Sequence, residues 1–363
     1  MKKLGFGFMR LPKLENDQVD VAHTMQMVDA YLDAGFTYFD TAHNYLGGES
    51  EKLLKTCLTS RYPRDRYVLT DKLTSLYFEQ AEDIRPVIDL ELETCGVEYF
   101  DYLLMHSMNA KYYEKFTACN AFEILQQLKA EGKARHIGMS FHDTPEVLDR
   151  ILTEHPEIEV VQIQFNYLDV ENPNVQSQGV YEVCRKHGKP VLIMEPVKGG
   201  SLANLPQEAG AVLDKLGGGS HASYAIRYAA SQEGVLAVLS GMSTLEQVQD
   251  NVAYMSDFQP LNEQELAAVE QVRQILLAQE TIPCTACRYC MDKCPQQIPI
   301  PEIFDVYNGT KKYLEPGWRY GSVTKDKAKA SDCVGCGQCE EICPQKLEIR
   351  SYLQKAAEMY EKE

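Results

Sequence analysis

The sequence predicts an α/β protein: a (β/α)8 barrel over residues 1–260, a connecting helix over 261–280, and a small cysteine-rich domain over 281–363. Three observations carry this. From Lys3 onward, short apolar runs alternate with longer segments of helical periodicity, the mark of repeated βα units and a parallel sheet. Eight such pairs fill about 255 residues, which suits a closed barrel better than an open doubly wound sheet. Past residue 280 the composition turns abruptly to Cys and Pro.

The expected strands cover residues 3–7, 36–41, 67–72, 99–106, 136–140, 160–165, 190–195 and 235–240. The helices between them cover 19–34, 50–60, 80–95, 121–130, 144–153, 175–187, 221–230 and 244–255. A further amphipathic helix over 262–279 opens at Asn262, with Glu265 three residues on in the position of a capping box. Two cysteine runs follow, separated by an insert over 309–331 that reads as a solvated loop, and a last helix over 349–361 closes the chain.

The 363 residues hold 36 Lys and Arg against 53 Asp and Glu, a net charge of −17. An acidic chain without a dominant basic patch repels a phosphate backbone, so nucleic acid is not an expected partner. No apolar stretch reaches the roughly 18 residues that a membrane span needs. Arg10 and Lys13 interrupt the N-terminal segment where an export signal would be apolar. Of the 12 cysteines, Cys57, Cys95, Cys119 and Cys184 stand singly at apolar helix positions and read as small core residues. This usage points to a reducing compartment, the cytoplasm.

The other eight cysteines form the sharpest motif. Cys284, Cys287, Cys290 and Cys294 precede Pro295, and Cys333, Cys336, Cys339 and Cys343 precede Pro344, so one spacing, C-x2-C-x2-C-x3-C-P, occurs twice. Three thiolates on one tight loop reach three irons of a cubane, while the fourth is carried away to the other cluster. Cys284, Cys287, Cys290 and Cys343 are thus expected to hold one 4Fe-4S cluster, and Cys333, Cys336, Cys339 and Cys294 the second. A pair of structural zinc sites would lack the x3-C-P tail. The segment resembles bacterial two-cluster ferredoxins, which implies a small α+β iron–sulfur domain.

Polar residues interrupt the apolar strands at their C-terminal ends, where a barrel of this kind places its chemistry. Asp40 ends YFD, Tyr45 follows in the loop, Lys72 ends VLTDK and His106 ends YLLMH. Such groups are costly to bury at successive strand ends unless they meet one another. His142, beside Ser140, is placed to reach the mouth of such a site. His23, His43, His136, His155, His187 and His221 lack a spaced partner set and read as surface or hydrogen-bonded residues. Tyr77, Phe78, Met108, Tyr112 and Tyr113 suggest an apolar cleft above the strand ends.

The pieces GFGFMRLP, FDTAHNYLGGESE, TDKL, YLLMHSM, HIGMSFH and VVQIQFNYLD, in this order, resemble the aldo-keto reductase superfamily from residue 3 to about 258. The resemblance implies an NAD(P)-dependent oxidoreductase that moves a hydride between nicotinamide and a carbonyl or alcohol. By it Tyr45 is the proton donor, Asp40 and Lys72 are its activating pair, and His106 orients the carbonyl. A tyrosine with an ordinary pKa near 10 is a poor acid at neutral pH, so its pKa is expected to fall beside the Lys72 ammonium. The resemblance also assigns Ser140 and Gln162 to the carboxamide, Gly199 and Gly200 to the pyrophosphate, and Asn251 to the base. Phe141 and Met194 depart from the family's usual Asn and aromatic residue, and plain packing is the reading favoured for both. Gly241 and Gln247 stand where cations would grip a 2′-phosphate, which favours NAD(H) over NADP(H), with Lys198 as the fallback phosphate partner.

A cluster passes single electrons whereas nicotinamide gives two at once, so the halves cannot exchange directly. No flavin motif is visible, although a flavin is not excluded. One alternative is a reductase fed by ferredoxin or flavodoxin through the clusters. The insert holds six basic residues, Lys311, Lys312, Arg319, Lys325, Lys327 and Lys329, against Glu315 and Asp326, together with Trp318. These would dock a small acidic carrier. A non-catalytic redox sensor is the second alternative.

Overall fold

The computed structural model describes residues 2–361; Met1, Lys362 and Glu363, the outermost ends of the two expected domains, lie outside the described residues. By its internal packing the chain divides into two units, residues 1–205 with 213–269, and residues 206–212 with 270–363.

The first unit is a closed parallel barrel of eight strands in sequence order. They are β1 (Leu4–Gly7), β2 (Tyr38–Asp40), β3 (Val68–Leu73), β4 (Phe100–Met108), β5 (Ala134–Phe141), β6 (Val160–Gln164), β7 (Val191–Met194) and β8 (Val235–Ser240). All eight expected runs are strands. The expected helices form as well, with bounds that match or differ by a residue or a few, and N-caps set where some of them begin: Asp20 accepts from His23 N before Val21–Asp33, and Thr244 accepts from Gln247 N before Leu245–Ser256. Helices Ala110–Ala118 and Gln207–Asp214 had no expected counterpart. Both are short insertions beyond the eight-pair pattern.

Successive residues of a strand face opposite sides. In β2, Phe39 packs outward with Phe6, Phe8 and Tyr31, while Tyr38 joins Leu104, Val160, Leu192, Ala237 and Leu239 in a separate buried cluster. Gly138 belongs to the same layer because nothing larger fits, since a Cβ there would stand 2.3 Å from Val160 O. Two residues further along these strands come Asp40, His106, Ser140, Gln162 and Met194. That periodicity is what assembles the site.

The second unit differs from the expected α+β pattern: among the described residues it contains helices and no strand. The cysteine loops turn too tightly to extend, with left-handed backbone at Ala286, Arg288, Gly335 and Gly337. The insert is not a plain loop either. Helix Ile300–Tyr313 runs into it, burying Ile300, Ile303, Phe304 and Tyr307 at helical spacing, and helix Trp318–Thr324 follows.

Candidate active site and cluster sites

Lys72, at the end of β3, is fully buried. Its Nζ donates to Asp40 Oδ1 at 2.7 Å and to Thr41 O at 2.6 Å, and Gln162 Nε2 donates to Asp40 Oδ2 at 2.9 Å. Burial by itself lowers the ammonium's pKa, but the charge of Asp40 outweighs it and the pKa rises. Lys72 is held as a cation.

Tyr45 approaches this pair from the loop after β2, its ring centroid 4.8 Å from Lys72 Nζ and 5.7 Å from the His106 ring, at 77° to it. The expected fall in its pKa is not found. Burial pushes the phenol above its ordinary value, and Lys72 offsets only part of this because Asp40 raises it again. Tyr45 is therefore a protonated group at neutral pH.

His106 is buried, with Nδ1 2.7 Å from Thr74 Oγ1. Burial, then the charges of Lys72 and His142, push its pKa down to about 2. The ring is neutral. Ser107, next in the chain, has left-handed backbone (φ 58°), and its N–H donates to Ser140 Oγ at 2.8 Å. Strain of this kind at a strand end is commonly functional.

Asp40, Tyr45, His106, Ser140 and Gln162 line one open cleft of about 670 Å³, with His142 among its other lining residues. The same cleft is lined by Gly199, Gly200, Gly241, Gln247 and Asn251. Several of these side chains are already engaged. Asn251 donates to Ser240 Oγ and accepts from Tyr254 Oη, and Gln247 Oε1 accepts from Ser243 N. Gly199 and Gly200 have positive φ, 66° and 102°, and a side chain on Gly200 would stand in open space. The donors, the bare glycine turn and the cleft's size fit a long ligand with an anionic centre.

Three sequence readings are corrected. Lys198 does not face a phosphate: it is buried, its Nζ held by both oxygens of Asp169 at 2.7 and 2.8 Å. Phe78, Met108 and Tyr113 are core residues, and none of the five residues expected to form the apolar cleft lines it. Its apolar wall comes instead from residues such as Met9, Leu46, Val197 and Ile226. Of the two departures from the family pattern, Phe141 is packed in the core while Met194 lines the cleft.

Sequence reasoning missed Arg10, Thr74 and Asp250. Arg10 Nη1 donates to Gly199 O at 3.3 Å and its stem packs on Gly241, making it the one Lys or Arg among the described residues lining the cleft. It lies just past the end of β1, so the rule that found Asp40 would have found it. Thr74 lies two residues past Lys72, and Asp250 one before Asn251.

In the second unit Cys284, Cys287, Cys290 and Cys343 line one small cavity, and Cys294, Cys333, Cys336 and Cys339 line another. Burial pushes the Cys290 thiol up to about 12 and the Cys339 thiol up to about 11. Thiolates there require compensating positive charge, which cluster iron supplies. The donor set fits a cubane at each cavity.

The aldo/keto reductase family profile matches residues 3–274, and a 4Fe-4S dicluster domain matches residues 283–348. The chain belongs to the aldo/keto reductase family, and it is an oxidoreductase whose sequence carries an iron–sulfur domain C-terminal to the barrel. It is similar to L-galactose dehydrogenase of Arabidopsis thaliana, 28% identical over 66% of this chain and 80% of that one. It is also similar to the NADH-specific methylglyoxal reductase of Escherichia coli K12, 22% identical over 63% of this chain and 82% of that one. An aldo-keto reductase of Klebsiella pneumoniae solved with NADPH shares the fold, with a TM-score of 0.61 and 20% identity over 74% of this chain and 90% of its own. No helix among the described residues is long and apolar enough to cross a membrane.

Proposed function

We propose that the barrel is an NAD(H)-dependent carbonyl reductase in which Tyr45 is the acid, Lys72 and Asp40 steady its charge, and His106 holds the substrate oxygen. The observation that carries this is the fully buried Lys72–Asp40 pair beneath Tyr45 and a neutral His106 in one cleft. Bound dihydronicotinamide supplies a hydride, and each 4Fe-4S cluster exchanges one electron.

The residues divide the remaining work. A carbonyl oxygen that gains negative charge takes the Tyr45 proton, and the buried Lys72 cation stabilises the phenolate left behind. Asp40 fixes Lys72 in place, and Gln162 fixes Asp40. Thr74 selects the His106 tautomer. Its hydroxyl has one proton, and Nδ1 at 2.7 Å is a better acceptor than Lys72 O at 3.4 Å. Nε2 then carries the other proton into the cleft, where it donates to the substrate oxygen.

Arg10, with the Gly199–Gly200 turn, is placed for the pyrophosphate, a charge common to both nicotinamide cofactors. Asp250 lines the cleft beside Asn251, and Gly241 and Gln247 bring no charge of their own, although the Arg10 stem packs on Gly241. A carboxylate there suits ribose hydroxyls and repels a 2′-phosphate, which supports NAD(H). NADH oxidation by anaerobically purified protein against a panel of small carbonyls tests the reading.

A second reading is favoured by the cluster domain: electrons from a small acidic carrier enter through the clusters. Lys325 and Lys327 are exposed, and Trp318, a few residues before them, is 69% exposed. Such a surface suits ferredoxin or flavodoxin.

A further inference from the structure

Five chemistry-bearing side chains meet outside the barrel wall, between β3 and the helices Ser50–Leu54 and Ala81–Cys95. Asp71 precedes Lys72, and strand alternation turns it away from the catalytic layer. Glu51, Asp71, Glu91 and Cys95 are all 0% exposed. The ligand atoms of His43, Glu51 and Glu91 lie within 4.8 Å of one another, and so do those of Glu51, Asp71 and Cys95.

Their hydrogen bonds do not balance. His43 Nδ1 lies 2.9 Å from Glu51 Oε2, while Asp71 accepts from Lys72 N at 2.8 Å and from Cys95 Sγ at 3.3 Å. Glu91 has nothing: both of its carboxylate oxygens are buried without a partner. No Lys or Arg side chain pairs with any of the three carboxylates among the described residues. An unpaired buried carboxyl group costs a fold heavily, and Glu91 without a partner beside two further buried carboxyl groups and an imidazole describes a place for positive charge. Burial and mutual repulsion push Asp71 and Glu91 well above the usual carboxylate range, as expected of a pocket that lacks its cation.

We propose that this pocket binds one divalent transition-metal ion, zinc by its donor set, through His43, Glu51 and Glu91, with Asp71 and Cys95 flanking Glu51. An imidazole donor disfavours magnesium and calcium, and one imidazole with two carboxylates is a donor set that suits zinc. Donor atoms about 2.0–2.2 Å from zinc stand roughly 3.3–3.6 Å apart in a tetrahedron, so groups within 4.8 Å of one another need to close by about an ångström to converge on an ion. The His43 side chain, 18% exposed, gives the ion a route from solvent. Because His43 is two residues before Tyr45, the ion would tie the Tyr45 loop to helix Ala81–Cys95. It is separate from the eight cysteines of the cluster domain.

The test uses the full chain, purified anaerobically with its clusters intact, equilibrated with zinc chloride and desalted, with metals counted by mass spectrometry. The wild type is expected to hold one zinc per chain beside its cluster iron, and Glu91→Gln to hold none with its iron unchanged. Zinc at one hundred times Kd should raise the wild-type melting temperature by about 5 °C and leave Glu91→Gln unmoved. Without zinc, Glu91→Gln should melt above the wild type, because an unpaired buried carboxyl group has been removed. His43→Gln, at a partly exposed position, gives the same metal readout if Glu91→Gln does not fold. A wild type that retains no zinc, or either variant retaining as much as the wild type, overturns the proposal.

Discussion

Replacing Thr74 by Val removes one hydroxyl and keeps the shape, so it tests how His106 is made a donor. The lost bond, 2.7 Å long and buried, leaves Nδ1 without its proton source. An unpartnered buried ring nitrogen costs about 1–3 kcal/mol in either tautomer, so nothing then holds the proton on Nε2 or keeps the ring aimed at the substrate oxygen. At 1.36 kcal/mol per factor of ten, kcat should fall about 5- to 150-fold, with KM changed little because the loss falls on the transition state. Thr74→Ser, which restores the hydroxyl, should recover most of it; a purely structural role would not separate Val from Ser in this way. The assay is single-turnover NADH oxidation with a carbonyl substrate under anaerobic conditions. With its pKa near 2, His106 adds no step to the pH profile between about pH 5 and 9. The sign for stability follows. An unfolded His106 protonates below about 6.5 while the folded one does not, so stability from this residue is present above about pH 6.5 and lost as pH falls. Turnover in Thr74→Val within about twofold of the wild type, or a kinetic pKa of about 6–7 that disappears in His106→Gln, would show that Thr74 does not set the tautomer.

Other consequences are open to direct measurement. Eight irons and eight sulfides per chain are expected, in about that number, and replacing Cys343 or Cys294 by Ser should each weaken a single cluster, the one shared with the other run, as counted by iron and by electron paramagnetic resonance. Arg10→Met should weaken NADH and NADPH alike by about 10- to 100-fold in fluorescence titration, whereas Asp250→Asn should improve NADPH selectively. NADPH binding tighter than NADH in the wild type would contradict the cofactor assignment. Reversing the charges of Lys325, Lys327 and Lys329 should slow cluster reduction by ferredoxin most at low ionic strength and leave reduction by dithionite unchanged. Equal rates across salt concentrations would rule out the docking surface.

What the sequence made legible, and what it hid, follows from the range of the interactions. Strand periods of two residues and cysteine spacings are local, so β2, β3 and β4, with Asp40, Lys72 and His106 at or near their ends, are legible in the chain itself. The layer shared by Tyr38, Leu104 and Val160 explains why those three ends meet. The Tyr45 pKa was read in the wrong direction because spacing reports which charges are near but not how much water is lost. Lys198 misled for a similar reason: its partner Asp169 is 29 residues away, and only the folded chain shows that its charge is already paired. Tyr113 and Phe78 look like a cleft lining as a list of aromatics, yet the intervening helix Ala110–Ala118 turns Tyr113 into the core. Glu91 gave no signal at all, since an acidic residue within a helix reads as solvated until the helix is docked.

If the barrel cleft performs carbonyl reduction with Tyr45 as its acid, Tyr45→Phe is the decisive variant. The substitution removes one oxygen and leaves the Lys72–Asp40 pair and the cleft intact. With 4-deuterated NADH and any carbonyl that the wild type reduces, deuterium should appear on the product carbon of the wild type. In Tyr45→Phe the rate of that transfer should fall about 10²- to 10⁴-fold while NADH binding is retained. Transfer at the wild-type rate in Tyr45→Phe, or a wild-type product without deuterium, would contradict this mechanism and move the chemistry to the clusters.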